Sequence, residues 1–195
     1  MHATDPQDIL DFWFLPPGDP AHGASRAEWW RKDDAFDAAI RTRFGAIIET
    51  AIKGGLREWD DAGPRGLLAR ILVLDQFTRN AWRGTPGAFA GDALALEAAV
   101  KLVDSGAHLT LSPLERWFAY MPFEHSEDMA MQERSVALFT GLAKEGEGFA
   151  SAFDYALRHM EVVARFGRFP HRNAILGRAS TPDELAYLAQ PGSGF

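Results

Sequence analysis

Cysteine is absent from this 195-residue chain, and its absence excludes several kinds of chemistry. The protein can form no disulfide, offers no thiolate to a metal ion and has no thiol nucleophile. Long apolar runs are missing as well, because the longest strictly aliphatic run, residues 71–74, is far too short to cross a bilayer. Residues 1–6 lack the basic start and apolar stretch of a signal peptide. We therefore expect a cytoplasmic protein without a membrane partner.

Positive charge is also scarce. Lysine and arginine number 20 against 27 aspartates and glutamates, which gives a formal net charge of −7. This excess of acid disfavours a general affinity for nucleic acid, so no nucleic-acid partner is expected. The chain also lacks a P-loop, a dinucleotide-binding glycine pattern and a Gly-x-Ser-x-Gly elbow. No cofactor is predicted.

Apolar and aromatic residues are plentiful. The chain is 47% hydrophobic and contains 14 Phe and 6 Trp, most of which are expected to pack in a core. A chain of 195 residues is long enough to bury such a core without disulfides. No low-complexity stretch divides it, so a single domain over residues 1–195 is predicted.

Helix signals recur along the whole chain. Residues 149–166 carry the clearest one, because apolar side chains repeat there at the spacing of one buried helix face. Proline or a capping box opens most of the other segments, and Pro122 is expected to end the fifth helix before it. No segment alternates with the period of a strand. We predict an all-α fold of about seven to nine helices in antiparallel hairpins. The expected helices cover residues 6–14, 25–53, 64–80, 86–105, 113–121, 126–143, 149–166 and a last segment from 182.

The first of three polar clusters covers residues 75–83. Asp75 falls on a helix that is apolar nearly all round, where a carboxylate is unfavourable unless it is paired. Arg79, four residues later, is the nearest cation. Their ion pair either fixes how helices dock or forms a wall of a ligand site, in which Asp75 orients Arg79.

The second cluster covers residues 122–128. Ser126 and the two acids after it are explained by the capping of the following helix. Capping does not require Glu124 and His125. A carboxylate beside an imidazole can transfer protons, so Glu124 and His125 are the candidate catalytic residues.

The third cluster covers residues 165–173. Its glycine and proline fit the end of a helix, but several cations so close together in an acidic protein indicate an anion. Arg168, His171 and Arg172 are therefore candidate ligand-binding residues. The anion is either an internal carboxylate from another cluster or an external phosphate or carboxylate ligand.

A metal site is the weaker interpretation of the histidines. His125, His159 and His171 could meet around a carboxylate, but no two of them have the spacing of a helical ligand pair. We expect no metal ion. His159 lies at the edge of the apolar face of residues 149–166 and is interpreted as a core histidine.

The three clusters and the closing residues 191–195 give the chain a resemblance to a known family. Over residues 75–80, 122–128 and 165–173 it resembles the bacterial domain-of-unknown-function family nine-two-four, and the resemblance extends from about Ile9 to the C-terminus. It implies an all-α, tetratricopeptide-like arrangement of helices. It implies no reaction and no catalytic residue, because the family has none assigned.

Three functions are compatible with these patterns. In the first, the clusters converge on a pocket for a small anionic ligand, in which Arg79, Arg168 and Arg172 hold the anion and Glu124 and His125 supply any proton transfer. In the second, the helical hairpins bind a protein partner and the polar clusters are structural. The third, RNA binding through the third cluster, is disfavoured by the acidic charge. The sequence leaves open whether the chain is an enzyme.

Overall fold

A computed structural model describes residues 5–194 of the chain. In this part the chain is 71% helical and has no strand, which confirms the predicted all-α class. Ten α-helices are present in it, eight of them with seven residues or more. The signal-peptide argument used residues 1–6, and residues 1–4 lie outside the described part of the chain. Phe195, the last of the closing residues 191–195, also lies outside it. The tetratricopeptide-like arrangement stays a prediction.

The helices follow one another with short connections. Their bounds are α1 Pro6–Phe14, α2 Ala27–Trp30, α3 Asp34–Ile52, α4 Pro64–Ile71, α5 Thr78–Ala81, α6 Asp92–Asp104, α7 Pro113–Glu124, α8 Met129–Ala143, α9 Ala150–Phe166 and α10 Pro182–Leu188. Within the described residues, none of these helices combines the length and the apolar character that a membrane span requires.

The chain forms two compact units. The first comprises Met1–Arg83, so far as it is described, and Gly87–Pro122, and the second comprises Gly84–Pro86 and Phe123–Phe195 up to residue 194. In the first unit, the fully buried ring of Trp13 packs edge-on against that of Phe118. Val162, Val163 and Phe169 form a buried cluster in the second unit. The single domain expected over residues 1–195 stays a prediction.

Helices α4 and α5 belong to one continuous helix. The six residues between them, Leu72–Phe77, continue it with wider π-helical turns, and all six are buried. The helix expected over residues 64–80 is therefore present, but its π-helical part was not predicted. Such turns are rare and are found mostly at functional sites. This one carries Asp75 into the core of the first unit.

The single helix expected over residues 25–53 is wrong, because the chain forms two helices there. Arg31 is extended, with φ −139° and ψ 151°, and interrupts the helix after α2. Asp33 then caps α3 by accepting hydrogen bonds from the backbone N–H groups of Ala35 and Phe36. A capping aspartate competes with helix continuation because its side chain replaces the missing backbone acceptors.

Two further boundaries differ near Pro122. Helix α7 was expected to end before this proline but continues through it to Glu124. Proline removes the backbone hydrogen bond to the carbonyl oxygen four residues earlier, and only two residues of α7 follow it. The next helix, α8, is capped by Asp128 rather than by Ser126, since the Asp128 side chain accepts from the N–H of Met131.

Helix α9 agrees with its prediction closely. It ends at Gly167, whose φ of 66° is the left-handed conformation that glycine adopts most easily at a helix end. Its buried face contains Ala152, Ala156, His159, Val162 and Val163. The placement of His159 on this face brings a titratable group into the interior of the second unit.

Gly91 is expected to tolerate no side chain. It directly precedes α6, and the backbone of the π-helical turn lies close to it. A Cβ atom at this position would lie 2.1 Å from the carbonyl oxygen of Leu74. We expect Gly91→Ala to lower the free energy of unfolding by about 1–3 kcal/mol, because rigid backbone must move. Urea denaturation measures this change. Gly45→Ala within α3 is the control, since its Cβ would meet no atom within 4 Å and alanine favours the helix. If Gly91→Ala changed the free energy of unfolding no less favourably than Gly45→Ala does, the close approach at Gly91 would be contradicted.

Candidate functional site

The end of α7 is held in place by Gln132 of α8. The Nε2 of Gln132 donates to the carbonyl oxygens of Glu124 at 2.7 Å and of Ser126 at 2.6 Å, with a longer contact of 3.5 Å to that of Phe123. The last carbonyls of a helix have no partner inside it, so a buried amide at this point fixes the turn that carries Glu124. The position of the Glu124 carboxylate is thereby defined by its backbone.

Glu124 forms a buried pair with His159 of α9. Its Oε1 lies 2.9 Å from the Nδ1 of His159, and the two side chains are 5% and 6% exposed. The same Nδ1 lies 2.8 Å from the carbonyl oxygen of Tyr155. Because both neighbours are acceptors, Nδ1 carries the proton and a neutral His159 has its lone pair on Nε2. A carboxylate that holds an imidazole in one tautomer prepares the histidine to accept a proton.

Arg172 joins the second and third clusters. Its Nη2 donates to the carbonyl oxygen of His125 at 3.1 Å, and its guanidinium carbon lies 4.5 Å from the centre of the Phe169 ring. Arg172 is buried, so a positive charge lies in the interior of the second unit. The ligand-pocket hypothesis required the 122–128 and 165–173 segments to meet, and this hydrogen bond joins them.

Three imidazoles lie in the same cluster. The ring centres of His125 and His159 are 6.2 Å apart, and the ring of Phe169 lies 5.5 Å from that of His159 and 5.6 Å from that of His171. Burial lowers the pKa of His171 to about 4, and the positive charge of Arg172 acts in the same direction. His171 is therefore neutral at pH 7. Titratable groups with shifted pKa values are more frequent at functional sites than elsewhere.

Arg168 has an internal partner in α10. Its Nε and Nη2 donate to the two carboxylate oxygens of Glu184 at 2.6 and 2.8 Å, and Nη2 also donates to the carbonyl oxygen of Ala179. The hydrogen bond from Arg168, together with that from the N–H of Thr181, lowers the pKa of Glu184 to about 2. The sequence left open whether the anion of this cluster is internal or external, and Arg168 pairs with an internal carboxylate. It comes from a segment that the sequence had not connected with it.

A second ion pair fixes the loop that follows α9. Glu127 accepts hydrogen bonds from Arg178 at 2.7 and 2.9 Å and from the N–H of Phe169 at 2.8 Å. Burial acts to raise the pKa of Glu127, but the hydrogen bonds from Arg178 and Phe169 outweigh it and lower the value. Arg178 also donates to the side chain of Asn173 and the carbonyl oxygen of Phe169. These contacts hold the third cluster against the second.

Asp75 and Arg79 lie in the first unit and form the expected ion pair. The Oδ1 of Asp75 is 3.0 Å from the Nη1 of Arg79, and Gln76 donates to Oδ2 at 2.6 Å. Arg79 also binds both carboxylate oxygens of Asp92 at the start of α6, at 2.8 and 3.1 Å. One guanidinium is therefore flanked by two carboxylates, which ties the π-helical turn to α6. The convergence of all three clusters on one pocket stays a prediction.

Several residues of these networks were not predicted. His159 was interpreted as a core histidine, and nothing in its spacing indicates a carboxylate partner 35 positions earlier, as the contact with Glu124 shows. Glu184 was visible only as part of a capping box with Thr181. Arg178 stood outside every cluster. These pairs depend on how the helices pack, and the local sequence does not carry that information.

An open cleft lies beside Arg168 in the second unit. It has a volume of about 410 Å³ and is lined by Arg165, Phe166, Arg168, Thr181, Asp183 and Glu184. Two arginines face two acids there, so the cleft has no excess positive charge for an anion. Among residues 5–194, no group of three histidine, aspartate or glutamate side chains is arranged to hold a metal ion.

The fold and the site define an all-α protein with a buried carboxylate–imidazole pair and clustered histidines in its second unit. Residues 9–192 match a family described as bacterial protein of unknown function, DUF924, and the chain belongs to this family. The solved structure of a protein of unknown function from Agrobacterium tumefaciens is similar, with 38% identity and a TM-score of 0.81. The similarity covers 94% of this chain and 96% of that one. No curated protein matches the chain.

Proposed function

We propose that this protein binds a small anionic ligand at the polar cluster of its second unit and exchanges a proton with it. The cluster consists of Glu124, His125, His159, His171 and Arg172. The observation that carries the proposal is the buried contact of 2.9 Å between Glu124 and His159. A buried pair of this kind stabilises a core no better than apolar side chains of similar volume do. Its presence among further imidazoles favours a chemical role.

Arg172, His159 and Glu124 have distinct roles in this proposal. The positive charge of Arg172 attracts the ligand's acid group, and His171 beside it is neutral at pH 7. His159 accepts at Nε2 a proton from a group of the ligand that is still protonated at pH 7, since the acid group that Arg172 attracts is already ionised. The imidazolium that forms is stabilised by the carboxylate of Glu124, which lies at Nδ1. Glu124 is therefore a positioning residue, and His159 is the group that exchanges the proton.

A protein-binding module is the other function that the sequence suggested. A helix that docks a partner presents several apolar side chains on one face. In the described part of the chain, the exposed large apolar side chains belong to different segments, and no two of them share a helix. They are Trp30, Leu109, Tyr155, Leu176 and Leu185. This distribution favours the ligand site.

Thermal unfolding with acetate or inorganic phosphate tests the ligand site. A ligand at 100 times its dissociation constant adds about 2.7 kcal/mol to the free energy of unfolding. For a chain of this size that corresponds to a rise in Tm of roughly 5–10 °C. We expect one of the two anions to produce such a rise in the wild type at pH 7. His159→Gln and Glu124→Gln should each weaken the binding about tenfold or more.

Two conservative substitutions serve as controls. Glu133→Gln removes an exposed carboxylate from α8, and His22→Gln removes an exposed histidine from the first unit. Both should keep the rise in Tm of the wild type. The proposal is wrong if neither anion raises the Tm, or if the His159 and Glu124 variants fold and respond as the controls do. Circular dichroism of the unliganded variants establishes that they are folded.

A further inference from the structure

Two buried polar atoms of α8 have no hydrogen-bond partner among residues 5–194. They are the Oε1 atom of Gln132 and the Oγ atom of Ser135, and both side chains are fully buried. Buried polar atoms are nearly always hydrogen-bonded, because leaving one unsatisfied destabilises the fold. Residues three apart on a helix lie on the same side of it, so the two atoms belong to one side of α8.

The chemical identity of the Gln132 atom is fixed by its surroundings. The other end of the amide contacts the carbonyl oxygens of Glu124 and Ser126 at 2.7 and 2.6 Å. Carbonyl oxygens only accept hydrogen bonds, so the NH₂ group must point at them. The oxygen of the amide therefore points the other way. The amide contacts the backbone of Glu124, so the side chain that carries this unsatisfied acceptor adjoins a residue of the proposed ligand site.

Ser135 differs from three threonines that lie inside helices. Thr50, Thr78 and Thr140 each donate to the carbonyl oxygen four residues earlier, at 2.9, 2.8 and 2.7 Å. This local bond is the usual solution for a hydroxyl in a helix. In the described part of the chain Ser135 makes no such bond, although its side chain is fully buried. Its O–H group is therefore available as a donor on the side of α8 that carries Gln132.

We propose that Gln132 and Ser135 bind a hydroxyl group of the ligand, which is then a small hydroxy acid. A hydroxyl can donate to Oε1 of Gln132 and at the same time accept from the O–H of Ser135. An ammonium group cannot accept, and an ether oxygen cannot donate. The inference rests on the proposed function, because the acid group of the same molecule is the one that Arg172 attracts.

Binding of acetate, glycolate and methoxyacetate to the full chain tests this inference. The three acids differ in carrying no hydroxyl, a hydroxyl and an ether oxygen, respectively. Dissociation constants from NMR titrations should show that glycolate binds about tenfold more tightly than acetate, as two added hydrogen bonds allow. Methoxyacetate should bind no more tightly than acetate. Equal binding of acetate and glycolate would overturn the hydroxy-acid inference and leave the proposed function intact. Failure of all three to bind would overturn the hydroxy-acid inference, and it would overturn the proposed function as well if inorganic phosphate also failed to raise the Tm.

The Ser135→Ala variant distinguishes a ligand-binding role of Ser135 from a purely structural one. It removes a hydroxyl that has no partner among the described residues, so the protein should remain folded and bind acetate as before. The preference for glycolate should fall to about threefold or less, because one of the two hydrogen bonds is lost. Ser151→Ala, an exposed serine of α9, should retain the full preference. Retention of the full preference by the Ser135 variant, or a parallel loss of acetate binding, would overturn the assignment. Gln132 is unsuitable for this test because it also holds the end of α7.

Discussion

Replacing Arg70 by methionine is expected to lower the free energy of unfolding by about 3–5 kcal/mol. Arg70 is fully buried in the first unit, and its Nη1 donates to both carboxylate oxygens of Asp60 at 2.8 and 2.9 Å. Methionine would leave the charge of Asp60 in a place where its side chain is 6% exposed. The remaining partner, Lys101, lies 3.2 Å away and is itself mostly in solvent. Urea denaturation at pH 7 measures the loss.

The double substitution Arg70→Met, Asp60→Leu should recover most of that loss. It removes both charges, and apolar replacements of a buried pair are often neutral or stabilising. Within the described residues, Nε and Nη2 of Arg70 have no hydrogen-bond partner, so the native pair does not offset its full desolvation. Arg57→Met is the control, because Arg57 and Glu97 are half exposed and water screens the attraction between them. A loss at Arg70 no greater than at Arg57 would contradict this account.

Helix α9 shows how much of the fold could be predicted from the sequence. Its apolar residues repeat on one face, and Gly167 supplies an end signal that acts through its own backbone conformation. Both signals are local, so neighbouring residues suffice to predict the helix and its end. The same holds for α10, where Thr181 and Glu184 form the capping box that their spacing predicts.

The boundary at Pro122 and the π-helical turn show where local signals fail. Proline at 122 predicts a helix end, but α7 continues to Glu124, and the carbonyl oxygens of its last turn are held by Gln132. That hydrogen-bond donor belongs to another helix. The π-helical residues Leu72–Phe77 have no distinctive composition, and Gly91 approaches their backbone from the start of α6. Both features result from packing between helices.

The polar clusters were predictable in composition but only partly in pairing. Burial disfavours isolated charges, so the sequence could predict that acids and cations would meet. The pair of Asp75 and Arg79 was found because its partners lie one turn apart on a helix. The pairs Glu124–His159 and Arg168–Glu184 join different helices. Their formation depends on how far each helix is rotated and shifted against the next, which no spacing along the chain reveals.

Acidification is expected to destabilise the wild-type protein more than it destabilises the His171→Gln variant. In the folded protein burial lowers the pKa of His171 to about 4, whereas the unfolded chain has the ordinary value of 6.5. Between these two values the unfolded chain binds a proton that the folded protein does not. The stabilisation is therefore complete above pH 6.5 and is lost as the pH falls towards 4. It amounts to up to about 3 kcal/mol. Urea denaturation of both proteins across this range measures the difference.

Most of the charged groups around His171 act in the same direction as its burial. Arg172, His159 and His125 disfavour its protonation, and only Glu127 among the groups with a resolved influence favours it. The pKa of His108 in the first unit is also lowered by burial, but this histidine is present in both proteins and cancels in the difference. His22→Gln, at an exposed position, should leave the pH dependence of the wild type unchanged. If the wild type and the His171 variant lose stability in parallel between pH 6.5 and 4, the imidazole is not held neutral by its surroundings. The cluster would then be open to water, and a buried site for an anionic ligand would lose its main electrostatic support.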